Sequence, residues 1–299
     1  MIYGVQKIFK YALGIDVAGR GLAVRPDDTF IVSYPRSGNT WTRFLIANLL
    51  HPSAEVTFAN IERLIPDAEA QSSRYLKGIR SPRVIKSHEY FDHRYARVIY
   101  IVRDPRDVVL SYYDFERKYG NVEDGFELDT YVSNFVAGRL TSSDWGTWGE
   151  NVGSWLAARE NRPSFLLLLY EDLKRQTEIE LHKVAHFFGI KADPEQLRKA
   201  VERSSAERMR DLERTQGREW VTTKNKRDDI PFVGAAAVGR WTTKLSPAAV
   251  KEIESAWGPL MAHLGYELMH PHASEQLKGV PSLFQDGPLQ AVPSRESVS

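Results

Sequence analysis

Thr29-Phe30-Ile31-Val32-Ser33-Tyr34-Pro35-Arg36-Ser37-Gly38-Asn39-Thr40-Trp41 is the stretch on which the reading of this sequence turns. Its apolar, β-branched start reads as a strand, Pro35 ends it, and a helical pattern follows over residues 40–50. A strand, a short loop and a helix start open a βαβ unit. Unpaired N–H groups and the helix dipole at such a start attract phosphate. Gly38 permits close backbone approach, Ser37 and Thr40 add hydroxyl donors, and Arg36 adds a positive fork. The loop is not a Walker A sequence, because G-x-x-x-x-G-K-[ST] is absent. Taken alone, it is either an anion cradle or a βα turn capped by Ser or Asn.

Outward from this unit, further apolar runs over 83–86, 97–102 and 164–170 read as strands. Helical patterns over 108–116, 128–137, 152–160 and 174–188 lie between and after them. Uninterrupted apolar strands belong to a parallel sheet buried on both faces. The alternation therefore predicts one α/β domain, a doubly wound parallel sheet with flanking helices. The expected divisions are an N-terminal helical extension over 1–28, the domain over 29–268, and a flexible tail over 269–299. Val5, Ile8, Phe9, Ala12 and Leu13 form an apolar stripe, with Lys7 and Lys10 on another face. The stripe reads as a helix packed on the domain, or as one making peripheral membrane contact through residues 1–24.

Composition narrows the function. A formal net charge of +1 gives no bulk electrostatics for nucleic acid, so any anion site must be local. With no cysteine, a disulfide framework, a thiolate metal site and a cysteine nucleophile are excluded, and a reducing, cytoplasmic setting is compatible. No stretch approaches the ~20 apolar residues of a membrane span. His182 and His186 stand at i,i+4, but the Glu of H-E-x-x-H is missing and no third ligand is evident, so no metal site is expected.

Tyr34-Pro35-Arg36-Ser37-Gly38-Asn39-Thr40-Trp41 resembles the 5′-phosphosulfate loop of the sulfotransferase family, Y-P-K-S-G-T-T-W. Arg36 replaces the usual Lys and Asn39 the usual Thr. The run from Ile99 to Tyr113 resembles the family's 3′-phosphate motif, which places Arg103 and Ser111 on that phosphate. Physics agrees for Arg103, which follows a parallel strand, where ligands bind, and presents a phosphate-matching fork. Arg106 reads instead as an ion pair with a nearby Asp. Lys86-Ser87-His88 resembles the K-T-H segment, which implies His88 as the base and Lys86 as a helper at the sulfuryl group.

The likeness continues in order. Trp145-Gly146-Thr147-Trp148 through Trp155 resembles a segment near the acceptor pocket, and Tyr170-Glu171-Asp172-Leu173-Lys174 resembles Y-E-D-[LM]-K, whose Tyr reaches the nucleotide. Ser204-Ser205-Ala206-Glu207-Arg208-Met209 is similar to the stretch that closes over adenine, and Gly239-Arg240-Trp241 to the end of R-K-G-x-x-G-D-W. Two departures matter. Ala206 stands where an aromatic is usual, and Gly234, Ala235 and Ala236 stand where Arg, Lys and Gly finish the 3′-phosphate site. Lys224, Lys226 and Arg227 offer nearby replacement charges.

The resemblance implies in-line sulfuryl transfer from 3′-phosphoadenosine 5′-phosphosulfate (PAPS), without a metal, to a hydroxyl or amine. The donor would be held by Arg36 to Trp41, Arg103, Ser111, Tyr170, Ser204 and Gly239. Catalysis would fall to His88, Lys86 and Arg36. The pocket for the acceptor, a small molecule, lipid or glycan, would be shaped by residues within 54–80 and 119–147, including Phe58, Ile61, Leu64, Ile65 and Tyr75, which read equally as lid packing. A P-loop nucleotide phosphotransferase and a catalytically silent nucleotide-binding protein stand as alternatives.

Overall fold

Why the four apolar runs become one sheet is visible in their two faces. β1 (Thr29–Ser33), β2 (Val84–Ser87), β3 (Arg97–Val102) and β4 (Phe165–Leu169) lie in the order β2-β1-β3-β4, each neighbouring pair parallel. The structure is a computed structural model and describes residues 16–140, 144–234 and 237–270. Parallel neighbours require crossovers, which helices supply. Along β3, Val98, Tyr100 and Val102 enter one buried cluster while Ile99 and Ile101 enter the other. That is the period of two a strand imposes, with both faces apolar.

On the first face pack α4 (Pro105–Tyr119), α5 (Leu128–Val136), α6 (Trp148–Arg159) and α12 (Pro247–His263). On the second pack α1 (Asn39–Leu50), α2 (Ile61–Leu64), α8 (Thr177–Phe188), α9 (Pro194–Arg203) and α10 (Ala206–Gln216). Short helices α3 (Ser73–Gly78), α7 (Tyr170–Arg175) and α11 (Trp241–Lys244) sit at the ends. The doubly wound α/β expectation holds.

Two expectations change. The helical pattern over 174–188 is two helices, because Gln176 leaves the helical well at φ −141°, ψ 54°. Tyr170, directly after β4, opens α7 at the sheet's carboxyl edge, and α8 beyond the break packs on α1 and β4. Within the expected helical extension, residues 16–28 hold only a 3-10 turn, Gly19–Gly21. Ala18 and Leu22 are buried, and the N–H groups of Ala18 and Gly19 bond Gln71 and Ala68 at 2.9 Å. This segment is spent on the domain itself. The stripe from Val5 to Leu13 and residues 271–299 lie outside the described residues. Where the tail was expected to begin, Met269 and His270 instead donate backbone N–H to buried Glu254. Among the described residues no helix is long and apolar enough to cross a membrane.

Candidate active site

The register of the sheet brings the expected residues together. Val32 of β1 pairs with Ser87 of β2, and Val102 of β3 with Leu169 of β4. The residues that follow therefore emerge side by side: the 34–38 loop, His88, Arg103 and Tyr170. They line one cavity of about 790 Å³ at the sheet's carboxyl edge, where ligands bind open α/β sheets.

The loop is built for close approach. Gly38 sits at φ +94° as the N-cap of α1, and a Cβ there would lie 2.4 Å from the Tyr170 ring. Arg36 also holds positive φ, 67°, a costly state for a side-chain-bearing residue that marks functional loops. Asn39 anchors the loop by donating to Ser33 Oγ at 3.1 Å and to the Ile31 carbonyl at 3.4 Å. Ser37 Oγ is buried with no hydrogen-bond partner. An unpaired buried hydroxyl is costly unless a ligand completes it. Thr40 and Trp41 line the cavity, and Trp41 Nε1 donates to the Ser204 carbonyl at 2.9 Å. Gly38→Ala is expected to weaken nucleotide binding at least tenfold and to cost about 1–3 kcal/mol of stability from overpacking. Calorimetry and urea unfolding check it; wild-type affinity would remove the close-approach argument.

Arg36 places its guanidinium 4.8 Å from both the Phe115 and Phe232 ring centres. Nε donates to Ser111 Oγ at 3.2 Å, joining residues expected at opposite ends of the donor. Burial and then the charge of Arg103 push the Arg36 pKa down to about 10. Arg103 stacks 4.4 Å over the Tyr170 ring, reaches the Ala237 carbonyl at 2.9 Å and Asp107 at 3.6 Å, and keeps a buried, unpaired Nε. Arg106 faces away from the cavity and bridges Asp104 and Glu254, each at 2.7 Å.

His88 is held by its backbone and its ring. Nδ1 lies 2.7 Å from the Ser33 carbonyl, so Nδ1 carries the proton and Nε2 is the acceptor nitrogen. Burial first, and the Lys86 charge second, push the His88 pKa down to about 3. Trp145 meets the ring edge-on at 5.7 Å. Lys86 Nζ sits between Asp67 at 3.0 Å and Glu69 at 2.6 Å. Burial would lower its pKa, but the two carboxylates raise it on balance. The other Glu69 oxygen accepts from Ser87 Oγ at 3.0 Å and the His88 N–H at 2.7 Å. Glu69 thus ties the whole Lys86-Ser87-His88 segment.

Not every expected residue reaches the cavity wall. Ser204 is buried and receives Asn48 Nδ2 at 3.0 Å, and the Gly239 N–H donates to Asp107 at 2.7 Å. Phe58, Ile61 and Ile65 are core, and Tyr75 is exposed. Of segment 119–147, Tyr119, Asn121, Leu140 and Trp145 line the cavity. Lys226 lines it too, 4.2 Å over the Tyr119 ring, whereas Arg227 pairs with Asp124 and Asp229. Asp67 and Glu69 escaped the sequence reading. A bridge pairs Asp67 with Lys86, and the turn that follows, closed by Ala70 and Gln71 N–H on the Asp67 carbonyl, brings Glu69 back to the same ammonium.

Comparison with known proteins agrees with this geometry. Residues 26–265 match the model of the sulfotransferase domain. Sulfotransferase 1E1 of Bos taurus is 29% identical over 240 residues, covering 75% of this chain and 80% of the relative. The 3-beta-hydroxysteroid sulfotransferase of Cavia porcellus is 28% identical over 250 residues, covering 80% and 85%. Among solved structures, mouse sulfotransferase SULT7A1 complexed with PAP superposes with a TM-score of 0.67 at 21% identity, covering 88% of this chain and 92% of that one. Retinol dehydratase in complex with androsterone and inactive cofactor PAP gives 0.67 at 19% identity, with 85% and 86% covered. The chain belongs to the sulfotransferase domain family, whose members move a sulfuryl group from PAPS to an acceptor.

Proposed function

We propose that this enzyme transfers the sulfuryl group of PAPS to a hydroxyl or amine of a small-molecule acceptor, with His88 as the base. One observation carries the reading: Nδ1 of His88 is tied to the Ser33 carbonyl, which leaves Nε2 as the ring's unprotonated acceptor in a cavity shared with Lys86 and the 34–38 loop. The acceptor oxygen bonds to sulfur and gives its proton to Nε2, while the bond from sulfur to the 5′-phosphate oxygen breaks towards that oxygen. Lys86 assists at the sulfonate, and Arg36 offsets charge on the leaving phosphate. The unpaired Ser37 Oγ and Arg103 Nε support an anionic donor there. Tyr112, Phe115, Tyr119, Leu140 and Trp145 line the rest of the cavity, which supports an acceptor with an apolar body, small molecule or lipid, ahead of a glycan.

The test is transfer of labelled sulfate from PAPS across an acceptor panel, with and without EDTA. Turnover should persist in EDTA, because Arg36, Arg103 and Lys86 supply the positive charge that magnesium brings to phosphotransferases. Loss in EDTA reversed by magnesium would favour a phosphotransferase. Nucleotide binding with no transfer to any acceptor would favour a silent binding protein.

A further inference from the structure

We infer that Lys174 and Arg210 form a phosphate-binding pair at the nucleotide end of the cavity, and that the group they take is the donor's 3′-phosphate. The inference rests on the PAPS reading above. It begins with a shortage: residues 234–238 read Gly-Ala-Ala-Ala-Val and carry no charge, where the family motif supplies an Arg and a Lys. A doubly charged phosphate ester facing only Arg103 and Ser111 would be under-neutralised.

Lys174 and Arg210 are two cations here that form no ion pair among the described residues. Lys174 follows Tyr170 by one turn of α7, and both side chains line the cavity. Its Nζ stands 5.0 Å over the Trp41 ring. Trp41 in turn meets Tyr170 edge-on at 5.9 Å, and Arg103 covers Tyr170 at 4.4 Å. Lys174 and Arg103 therefore bracket one aromatic pair. No carboxylate among the described residues forms an ion pair with Lys174. Arg210 follows Ala206 by one turn of α10, and its Nη2 lies 3.5 Å from the carbonyl of Gly234. It stands, in other words, at the backbone that lacks its own cations. Arg210 also has no carboxylate partner among the described residues.

Of the other cations, Lys226 lines the cavity over the Tyr119 ring, and three more are already engaged. Arg240 pairs with Asp114 at 3.1 Å, Arg106 with Asp104 and Glu254, and Lys118 holds the carbonyls of Arg227 and Ile230. Burial, and after it the charge of Arg210, lower the Lys174 pKa, as two neighbouring cations without an anion should. An entering phosphate reverses that penalty. Ala206, one turn before Arg210, lines the cavity with Lys174.

Calorimetry on the full chain tests this with adenosine 3′,5′-bisphosphate and adenosine 5′-monophosphate. Wild type should prefer the bisphosphate. Lys174→Met and Arg210→Met should each weaken the bisphosphate about tenfold and leave the monophosphate unchanged, while Lys174→Arg keeps most of the preference. Equal losses for both nucleotides, or no loss, overturn the inference while the PAPS reading stands. A wild-type protein that binds neither nucleotide, or both alike, overturns the PAPS reading and the inference with it.

Discussion

Replacing His88 by Ala should lower kcat by about 10²–10⁴-fold, the usual worth of a general base, and leave nucleotide affinity nearly intact. The ring bonds the Ser33 carbonyl, meets Trp145 edge-on and makes no hydrogen bond to the Arg36–Trp41 loop, so its removal spares the anion donors. Steady-state rates with an alkyl alcohol acceptor, beside calorimetry with adenosine 3′,5′-bisphosphate, make the measurement. A phenol already ionised at assay pH would hide the loss. Full activity would end the assignment, and loss of nucleotide binding would make His88 structural. The pH dependence gives a second readout. Because the His88 pKa is pushed down to about 3, the ring stays neutral well below the ordinary imidazole value of about 6.5. The acid limb of kcat/KM therefore lies below that value. The same depression bears on stability. As pH falls from about 6.5 towards 3 the unfolded chain takes up a proton that the folded chain refuses, so stability falls over that window. His88→Ala should lose less stability on acidification than wild type.

How much of this was legible beforehand depends on the range of the forces involved. Strands β1 to β4 were readable because each is a short apolar run, and β3 was placed at its observed ends, 97–102. His88 and Arg103 were readable because a residue just past a parallel strand must emerge at the carboxyl edge. Several features were not. The break at Gln176 carries no Pro or Gly, so nothing local marks it. Helices α9 and α12 were missed although Asp193-Pro194 and Ser246-Pro247 supply an N-cap followed by Pro, a start signal sitting outside the family motifs. The partners of Lys86 come from 19 and 17 residues upstream, and only the bridge between Asp67 and Lys86 brings them in. Ser204 shows the opposite case: its motif was recognised, yet its hydroxyl serves Asn48 inside the protein.

Arg106→Met should destabilise the protein by about 3–5 kcal/mol, the cost of breaking a buried ion pair from one side. Arg106 is 2% exposed and ties four places together. It bonds Asp104 at the start of α4, Glu254 of α12 and the Glu267 carbonyl, and lies 3.8 Å over the Trp241 ring of α11. Glu254 is 0% exposed and also receives the N–H groups of Met269 and His270, so it cannot turn to water without releasing that segment. Methionine fills similar space but leaves Asp104 and Glu254 buried without a cation. Urea unfolding measures the loss, and a melting point lower by roughly 6–20 °C should accompany it. Burial already raises the Asp104 pKa against the pull of Arg106, and without Arg106 the carboxyl would bind its proton more tightly folded than unfolded, so the variant's deficit should shrink as pH falls and grow as pH rises. Arg106→Lys should recover only part, because an ammonium keeps the charge but cannot fork between two carboxylates. A methionine variant within 1 kcal/mol of wild type at neutral pH would show that hydrophobic packing replaces the pair here, as it can where the geometry allows.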